Sequence, residues 1–520
     1  MVQSYGATSS QGRGDDAVEG VDFIERREDD AVEGTGETEV SALLTDGIRP
    51  DGEVYDGLLG KGKKLREGHA TLVSCVSNLA NTIIGSGMLT FPLAMASAGV
   101  IPGMITCAFS GSVAAFGLYL LSACARKAPH RAASFFAIAN LTFPRAAVFF
   151  DAAIAIKCFG VSISYLIIIK SLLPNVVASL YHDLSPHKNP PAWALSGRVW
   201  ISLLMVILIP LAFQRHLDSL RHTSYIALFS VAYLVVIVIT AYFSPFEDMP
   251  PRGEVHLIKF TSGFVSTWPI QVFAFTCAQN IFPIFNEVRT NTQKRMNIVI
   301  GTSIGSATLT YEIIAVFGYL TFGSTVGANI IAMYPSTSLF VAFGQLAIAI
   351  LVLFSYPLQL HPCRNCLDKV FGFGKAGKGE KGKKMLVEEE GEEATVVDER
   401  TVEEEEVDEE VVDEDHAGAE MSTVKHTLLT AGIIASGFTT AYFVDDLQMV
   451  LSFVGATGST TLSFILPGLF YWKLTRDDPS ANKTLTRAAL ALACYGAFIL
   501  VFCLSFNVYQ LVTGSGAPSH

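Results

Sequence analysis

From about Thr71 onward the chain alternates long apolar runs with short polar ones. A helix needs about 20 apolar residues to cross the hydrocarbon core of a bilayer. Runs of suitable composition are Leu72 to Ser97, Pro102 to Cys124, Ala146 to Leu173, Val199 to Phe213, Ser224 to Phe243 and Ser262 to Phe285. They continue as Ile298 to Phe322, Thr337 to Leu360, Thr427 to Val444, Val450 to Leu474 and Ala488 to Val512. The pattern predicts an all-α polytopic membrane protein with about 11 transmembrane helices, the fourth and ninth being the shortest.

Lys and Arg in the short loops set the orientation. Loops on the starting side hold Lys61, Lys63, Lys64, Arg66, Arg126, Lys127, Arg131, Arg145, Arg215, Arg221, Arg289, Lys294 and Arg295, then Lys473, Arg476, Lys483 and Arg487. Opposite loops hold only Lys170, Lys188, Arg198, Arg252 and Lys259. The amino terminus is therefore expected in the cytosol, with residues 513–520 as a short tail on the far side. Two further parts follow. Residues 1–68 are polar, repeat the hexapeptide DDAVEG at Asp15 and Asp29, and read as a disordered acidic tail. Residues 361–425 separate helices one to eight (69–360) from helices nine to eleven (426–512) and read as a charged, disordered cytosolic loop.

Composition narrows the function. Only 16% of the 520 residues are charged, and the net charge of −12 belongs to the tail and the long loop. No basic face suits a nucleic-acid partner. The nine cysteines fall mostly inside apolar segments, the usage of free buried thiols. No basic stretch followed by an apolar core opens the chain, so the first span is expected to act as its own uncleaved signal. In the tail, Glu39, Leu43 and Leu44 fit an acidic dileucine sorting signal that a sorting adaptor would read.

The chemistry concentrates in two interrupted segments. The first reads Asn78-Leu79-Ala80-Asn81-Thr82-Ile83-Ile84-Gly85-Ser86-Gly87-Met88-Leu89-Thr90-Phe91-Pro92. The sixth reads Phe275-Thr276-Cys277-Ala278-Gln279-Asn280-Ile281-Phe282-Pro283. Irregular backbone at membrane depth is tolerated only where it is buried in protein or lines a cavity. The two segments open successive five-helix groups and enter from opposite faces, the mark of a 5+5 inverted repeat with one extra helix. A broken turn leaves N–H groups that attract an anion and carbonyls that attract a cation. An α-amino acid carries both charges. The N–H groups of Ser86, Gly87 and Met88 are assigned to the carboxylate, with Gly85 a further substrate-binding candidate. Carbonyls near Ile83 and from Phe275 through Thr276 to Cys277 are assigned to the ammonium, with Gln279 and Asn280 beside them.

Asn81-x-x-x-Gly85-Ser86-Gly87-Met88-Leu89 and Phe282-Pro283-Ile284-Phe285-Asn286-Glu287 resemble the amino acid/auxin permease family. So do Phe317 to Gly323 and Phe464 to Tyr471, in the same order. The likeness covers about Thr71 to Val512 apart from the long loop. Within the family the chain looks most like fungal vacuolar amino-acid transporters and sodium-coupled neutral amino-acid transporters. The resemblance implies an eleven-helix LeuT-type fold, an amino-acid substrate, a lipid bilayer as surroundings and no cofactor besides a coupling ion, H+ or Na+. Sodium-coupled relatives hold their ion with an Asn of the first helix and a hydroxyl of the eighth; Asn81 matches one, and Ser355 stands where relatives carry Thr. Vacuolar relatives are generally driven by protons.

Lys157 and Glu312 lie deep in apolar runs, at similar depths, and such residues are functional candidates by default. They are read either as a pair or proton relay, or as separate residues with polar neighbours. Gly301-x-Ser303-x-Gly305 lies in a predicted membrane helix, unlike a nucleophile elbow. Gly372 to Lys378 lacks the following Ser or Thr of a phosphate loop, and Cys363-x-x-Cys366 lacks the second pair of a zinc site. No convergent catalytic set emerges, so an enzyme is not expected. The leading expectation is ion-coupled amino-acid transport, symport or antiport, with protons favoured over sodium. The vacuolar membrane is the favoured address and the plasma membrane the other. The alternative is an amino-acid sensor signalling through the tail and loop. The sequons at Asn140 and Asn482 fall on the predicted cytosolic side. Glycosidase treatment of the protein from its own secretory system should therefore leave its electrophoretic mobility unchanged; a glycan on either asparagine inverts the topology.

Overall fold

The structure, a computed structural model, describes residues 68–128, 130–184, 190–214, 223–389 and 421–513. The dileucine residues Glu39, Leu43 and Leu44, most of the acidic tail, the acidic half of the long loop and residues 514–520 lie outside them. The helices are α1 (Leu72–Ile83), α2 (Phe91–Ala98), α3 (Val100–Ala125), α4 (Phe135–Thr142), α5 (Ala147–Leu184), α6 (Gly197–Ala212), α7 (Thr223–Phe243) and α8 (Gly263–Ala274). Then come α9 (Ile281–Glu287), α10 (Gln293–Phe322), α11 (Leu339–Glu389), α12 (Thr423–Phe443), α13 (Leu447–Val454), α14 (Leu466–Thr475) and α15 (Lys483–Thr513). Among the described residues the only β pairing is one isolated parallel bridge, Ala70 to Val288. Among the described residues seven helices are long and apolar enough to cross a membrane, and the bent pair α1 and α2 makes an eighth.

The predicted interruptions are real, and local chemistry causes them. Thr71 accepts the Ser74 N–H and starts α1. Ile84 and Gly85 then turn extended, so the ladder stops. A 3-10 turn, Ser86–Thr90, leads into α2, where Pro92 sits in the first turn and its missing N–H removes no helical bond. The two halves meet at 46°. In the sixth segment α8 stops at Ala274, a 3-10 turn covers Ala278–Asn280, and α9 follows with Pro283 in its first turn. A third irregular stretch was not anticipated: between α13 and α14 the backbone forms π-helical turns at Gly455–Ser459 and Thr461–Ile465.

Packing sorts the helices. α10 lies along α1, α2 and α3, while α2 packs on α8 and α9 on α3. α5 packs most extensively on α11 and also on α6 and α12. The α13 segment touches both α8 and α5 and so lies between the two groups.

Two elements outrun the sequence reading. α5 continues to Leu184, beyond the expected end at Leu173. α11 continues to Glu389, through the start of the segment read as a disordered loop from 361. Burial explains the second extension: Cys363, Arg364 and Cys366 are all buried although the stretch looks polar. Arg364 donates to Ala212 O and Thr430 Oγ1, each at 3.1 Å, and to Gln214 O at 3.4 Å. A buried guanidinium thereby caps the carbonyl end of α6. Lys170 does the same for α12, donating to Ala441 O at 2.9 Å and Tyr442 O at 3.0 Å and pairing with Asp445.

Glycine marks the tightest crossing. A Cβ on Gly455 would lie 2.0 Å from Pro269 O, whereas one on Gly432 meets nothing within 4 Å. Gly455→Ala should therefore cost about 1–3 kcal/mol of stability and lower the unfolding temperature in detergent. Gly432→Ala should hold or raise it, because Ala is favoured over Gly in a helix by about 0.5–1 kcal/mol.

Candidate substrate site

The two breaks meet. Gly87 touches the end of α8 so closely that a Cβ there would lie 2.6 Å from Ala274 Cβ. Its role as the small residue of the triplet is therefore close packing as well as an available N–H. Gly85 is the opposite case, with open space beside it and part exposure. Ser86 and Gly87 open the 3-10 turn, so their N–H groups have no donor role inside it. Met88 N already donates to Gly85 O at 3.2 Å. The Ser86 hydroxyl is buried and unpartnered, and so is Gln279 Oε1 on the other break. Asn280 Nδ2 donates to Thr82 Oγ1 at 2.6 Å and stitches the breaks together.

The carbonyl side departs from expectation. Ile83 O and Ala274 O both accept from the hydroxyl of Tyr311 on α10, at 2.7 and 3.0 Å. Cys277 O accepts the Asn280 N–H at 3.0 Å. The Ile83 and Cys277 carbonyls are thus already served, and Thr276 contributes through its side chain: Ser463 Oγ of the π-helical stretch donates to Thr276 Oγ1 at 3.1 Å. Phe275 is fully buried with its ring against Tyr311 at 5.1 Å.

A cavity of about 980 Å³ opens on the amino-terminal face and reaches Gln279. His69, Ser74, Arg131, Phe135, Phe282 and Glu287 are among its walls. That volume falls at the upper end of ordinary small-molecule sites, about 300–1,000 Å³. Arg131 shapes the mouth. It is buried, takes a positive φ of 51°, and donates to Asn286 O, to Val288 O at 2.9 Å and to Arg289 O at 3.2 Å. Asn286 O belongs to the last turn of α9, and the other two carbonyls follow directly after it. Asn286 in turn pairs with both backbone groups of Ala133. The opposite face is shut. The α7–α8 connection lies on the α2–α3 elbow, with Val100 N donating to His256 O at 3.2 Å and Lys259 N to Ala98 O at 2.9 Å. Gly99 and Gly323, both at positive φ, permit this approach: a Cβ on Gly99 would lie 2.7 Å from Leu257 O.

The ionisable pair does not form. Lys157 is buried on α5, donates to Gln359 Oε1 of α11 at 3.3 Å, and lies against Gly458 of the first π-helical turn. Glu312 sits on α10 in hydrogen-bond contact with Cys107 of α3, and its Oε2 is buried without a partner. Each belongs to a different helix group, which similar depth along the membrane normal could not reveal. Asn81 faces part-exposed space, while the Ser355 hydroxyl donates to Leu351 O of its own helix at 2.8 Å. Tyr311, Arg131, Ser463 and the π-helical stretch were missed. Tyr311 did carry a signal, since a phenol in an apolar helix needs an acceptor for its O–H.

Known proteins agree with this geometry. The family model for transmembrane amino acid transporter proteins matches residues 68–513. The chain is 39% identical over 453 residues to vacuolar amino acid transporter 5 of Schizosaccharomyces pombe, covering 85% of this chain and 96% of that one. It is 33% identical to vacuolar amino acid transporter 6 of Saccharomyces cerevisiae, covering 84% and 98%. The crystal structure of MhsT in complex with L-phenylalanine superposes with a TM-score of 0.50 at 10% identity, over 85% of this chain and all of that one. That likeness establishes the LeuT-type fold alone. With its matching relatives named as transporters rather than enzymes, this multi-pass membrane chain belongs to the transmembrane amino acid transporter family.

Proposed function

We propose that the protein is a secondary active transporter that moves amino acids across the vacuolar membrane by alternating access, driven by protons rather than sodium. The observation that carries this reading is the contact of two interrupted helices, Gly87 against Ala274, with a cavity that reaches Gln279 of the second break. With the amino terminus in the cytosol, the cavity faces the cytosol and the α7–α8 connection closes the lumen. The unpaired Ser86 hydroxyl, the first N–H groups of the 3-10 turn and Gln279 Oε1 supply donors and an acceptor for a zwitterion.

Proton coupling is assigned to Glu312. Its unpartnered Oε2 is an acceptor with nothing to accept, inside the helix group that holds both breaks. Lys157 is a second charge that has no acidic partner among the described residues. Ser355 donates its proton to its own helix and keeps its lone pairs, so its hydroxyl does not decide between sodium and protons. The dileucine residues would direct sorting through an adaptor.

Reconstituted protein should accumulate at least one labelled amino acid from a panel when a pH gradient is applied, and an imposed sodium gradient should not replace it. Binding without net flux would move the protein to the sensor class. Glu312→Gln should remove at least about tenfold of the stimulation by the pH gradient, the worth of about 1.4 kcal/mol. A variant that keeps its full pH response takes Glu312 out of the coupling path. Arg131→Gln strips the carbonyls at the end of α9 of their charged donor; uptake should fall severalfold while counterflow binding of substrate persists.

A further inference from the structure

Two half-helices end within reach of one oxygen atom. α1 stops at Ile83 and α8 at Ala274, and both terminal carbonyls lie within 3.0 Å of the Tyr311 hydroxyl. In unbroken helices these carbonyls would accept from the N–H groups four residues on, at Gly87 and Ala278; the breaks remove those donors. Each helix end also carries partial negative charge. Two such ends converging in a dry interior call for a positive group between them. The ordinary answer is a bound cation ringed by carbonyl oxygens.

Here the place is taken by a side chain. Tyr311 is fully buried, and its ring is clamped on both sides: stacked on Phe91 of α2 at 4.6 Å and 26°, and edge-on to Phe275 at 5.1 Å and 66°. Phe91 and Phe275 belong to the same two interrupted segments as the carbonyls. The phenol therefore grips each segment twice, once through a carbonyl and once through a ring. Its single proton is shared between the two carbonyls, and its oxygen also takes a backbone hydrogen bond from Gly85, so moving either segment away from α10 breaks a bond to this one group. Glu312 follows it in sequence but turns instead toward Cys107.

We propose that Tyr311 is a positioning residue that stands in for a bound cation between the two half-helix carbonyl ends, so that α1, α8 and α10 move as one body during transport. The proposal deepens the transporter reading and rests on it for the word transport. It also reassigns the ammonium of the substrate away from Ile83 O, toward the carbonyls after α8 that Tyr311 leaves alone.

Tyr311→Phe tests it, because the variant keeps both ring contacts and removes only the oxygen. In vesicles bathed in N-methylglucamine, its maximal uptake rate should fall about tenfold or more, with the half-saturating amino-acid concentration within about twofold of wild type. Li+ or Na+ should restore part of that rate in Tyr311→Phe beyond any response of wild type. The purified variant, compared with wild type, should also gain thermal stability on titration with Li+ or Na+. Wild-type rates in every medium, or a loss that no small cation relieves and a melting temperature that no cation raises, would overturn the proposal. Should the variant aggregate in N-methylglucamine, monodisperse recovery in Li+ or Na+ supports it, and aggregation in all three refutes it. The melting titration needs no transport. Cation-selective melting of Tyr311→Phe from a protein inert toward every amino acid would therefore sink the transporter reading and leave the carbonyl tie standing.

Discussion

A peptide group inside a bilayer has no water to fall back on, and each N–H or C=O left without a partner costs several kcal/mol. Most of this chain meets that demand by unbroken helix. In two places it does not, and much of the rest of the structure answers those two places. Thr82 and Asn280 join across the breaks, Gly87 allows backbone to touch backbone, and Tyr311 serves two stranded carbonyls. At the breaks the Ser86 hydroxyl and Gln279 Oε1 are left without partners, and Gln279 lines the cavity.

The same demand explains where the long cationic side chains go. Arg131, Arg364 and Lys170 each lie at a helix end whose carbonyls have no N–H to meet, and each is buried. Charge placed there is offset by the helix dipole and by direct bonds. Arg131 holds the end of α9 against the α3–α4 connection at the open face, while the closed face relies on backbone bonds admitted by Gly99 and Gly323. Glu312 differs from these cations: its spare oxygen has no partner, which suits a group that exchanges a proton. Lys157, by contrast, reaches only Gln359, beside the π-helical turn at Gly458.

Apolar run length was enough to place a helix at each expected segment, because a membrane span is decided by its own residues and the bilayer around it. The Gly-Ser-Gly triplet and the Gln-Asn-x-x-Pro run announced both interruptions because glycine, proline and amides weaken a helix where they cluster, although single prolines such as Pro210 and Pro269 stay inside helices here. Family membership followed from ordered motifs such as Phe282 to Glu287. Partnership was not legible. Lys157 and Glu312 share a depth yet face different helix groups, Tyr311 looked like one more apolar-helix aromatic, and the polar stretch after His361 gave no hint that Arg364 is buried. The sequence by itself determined that each apolar segment is helical and where the first and sixth ladders break, both being local properties of backbone and solvent. Only the tertiary structure decided which donor meets which stranded carbonyl, because that depends on the packing of helices far apart in the chain.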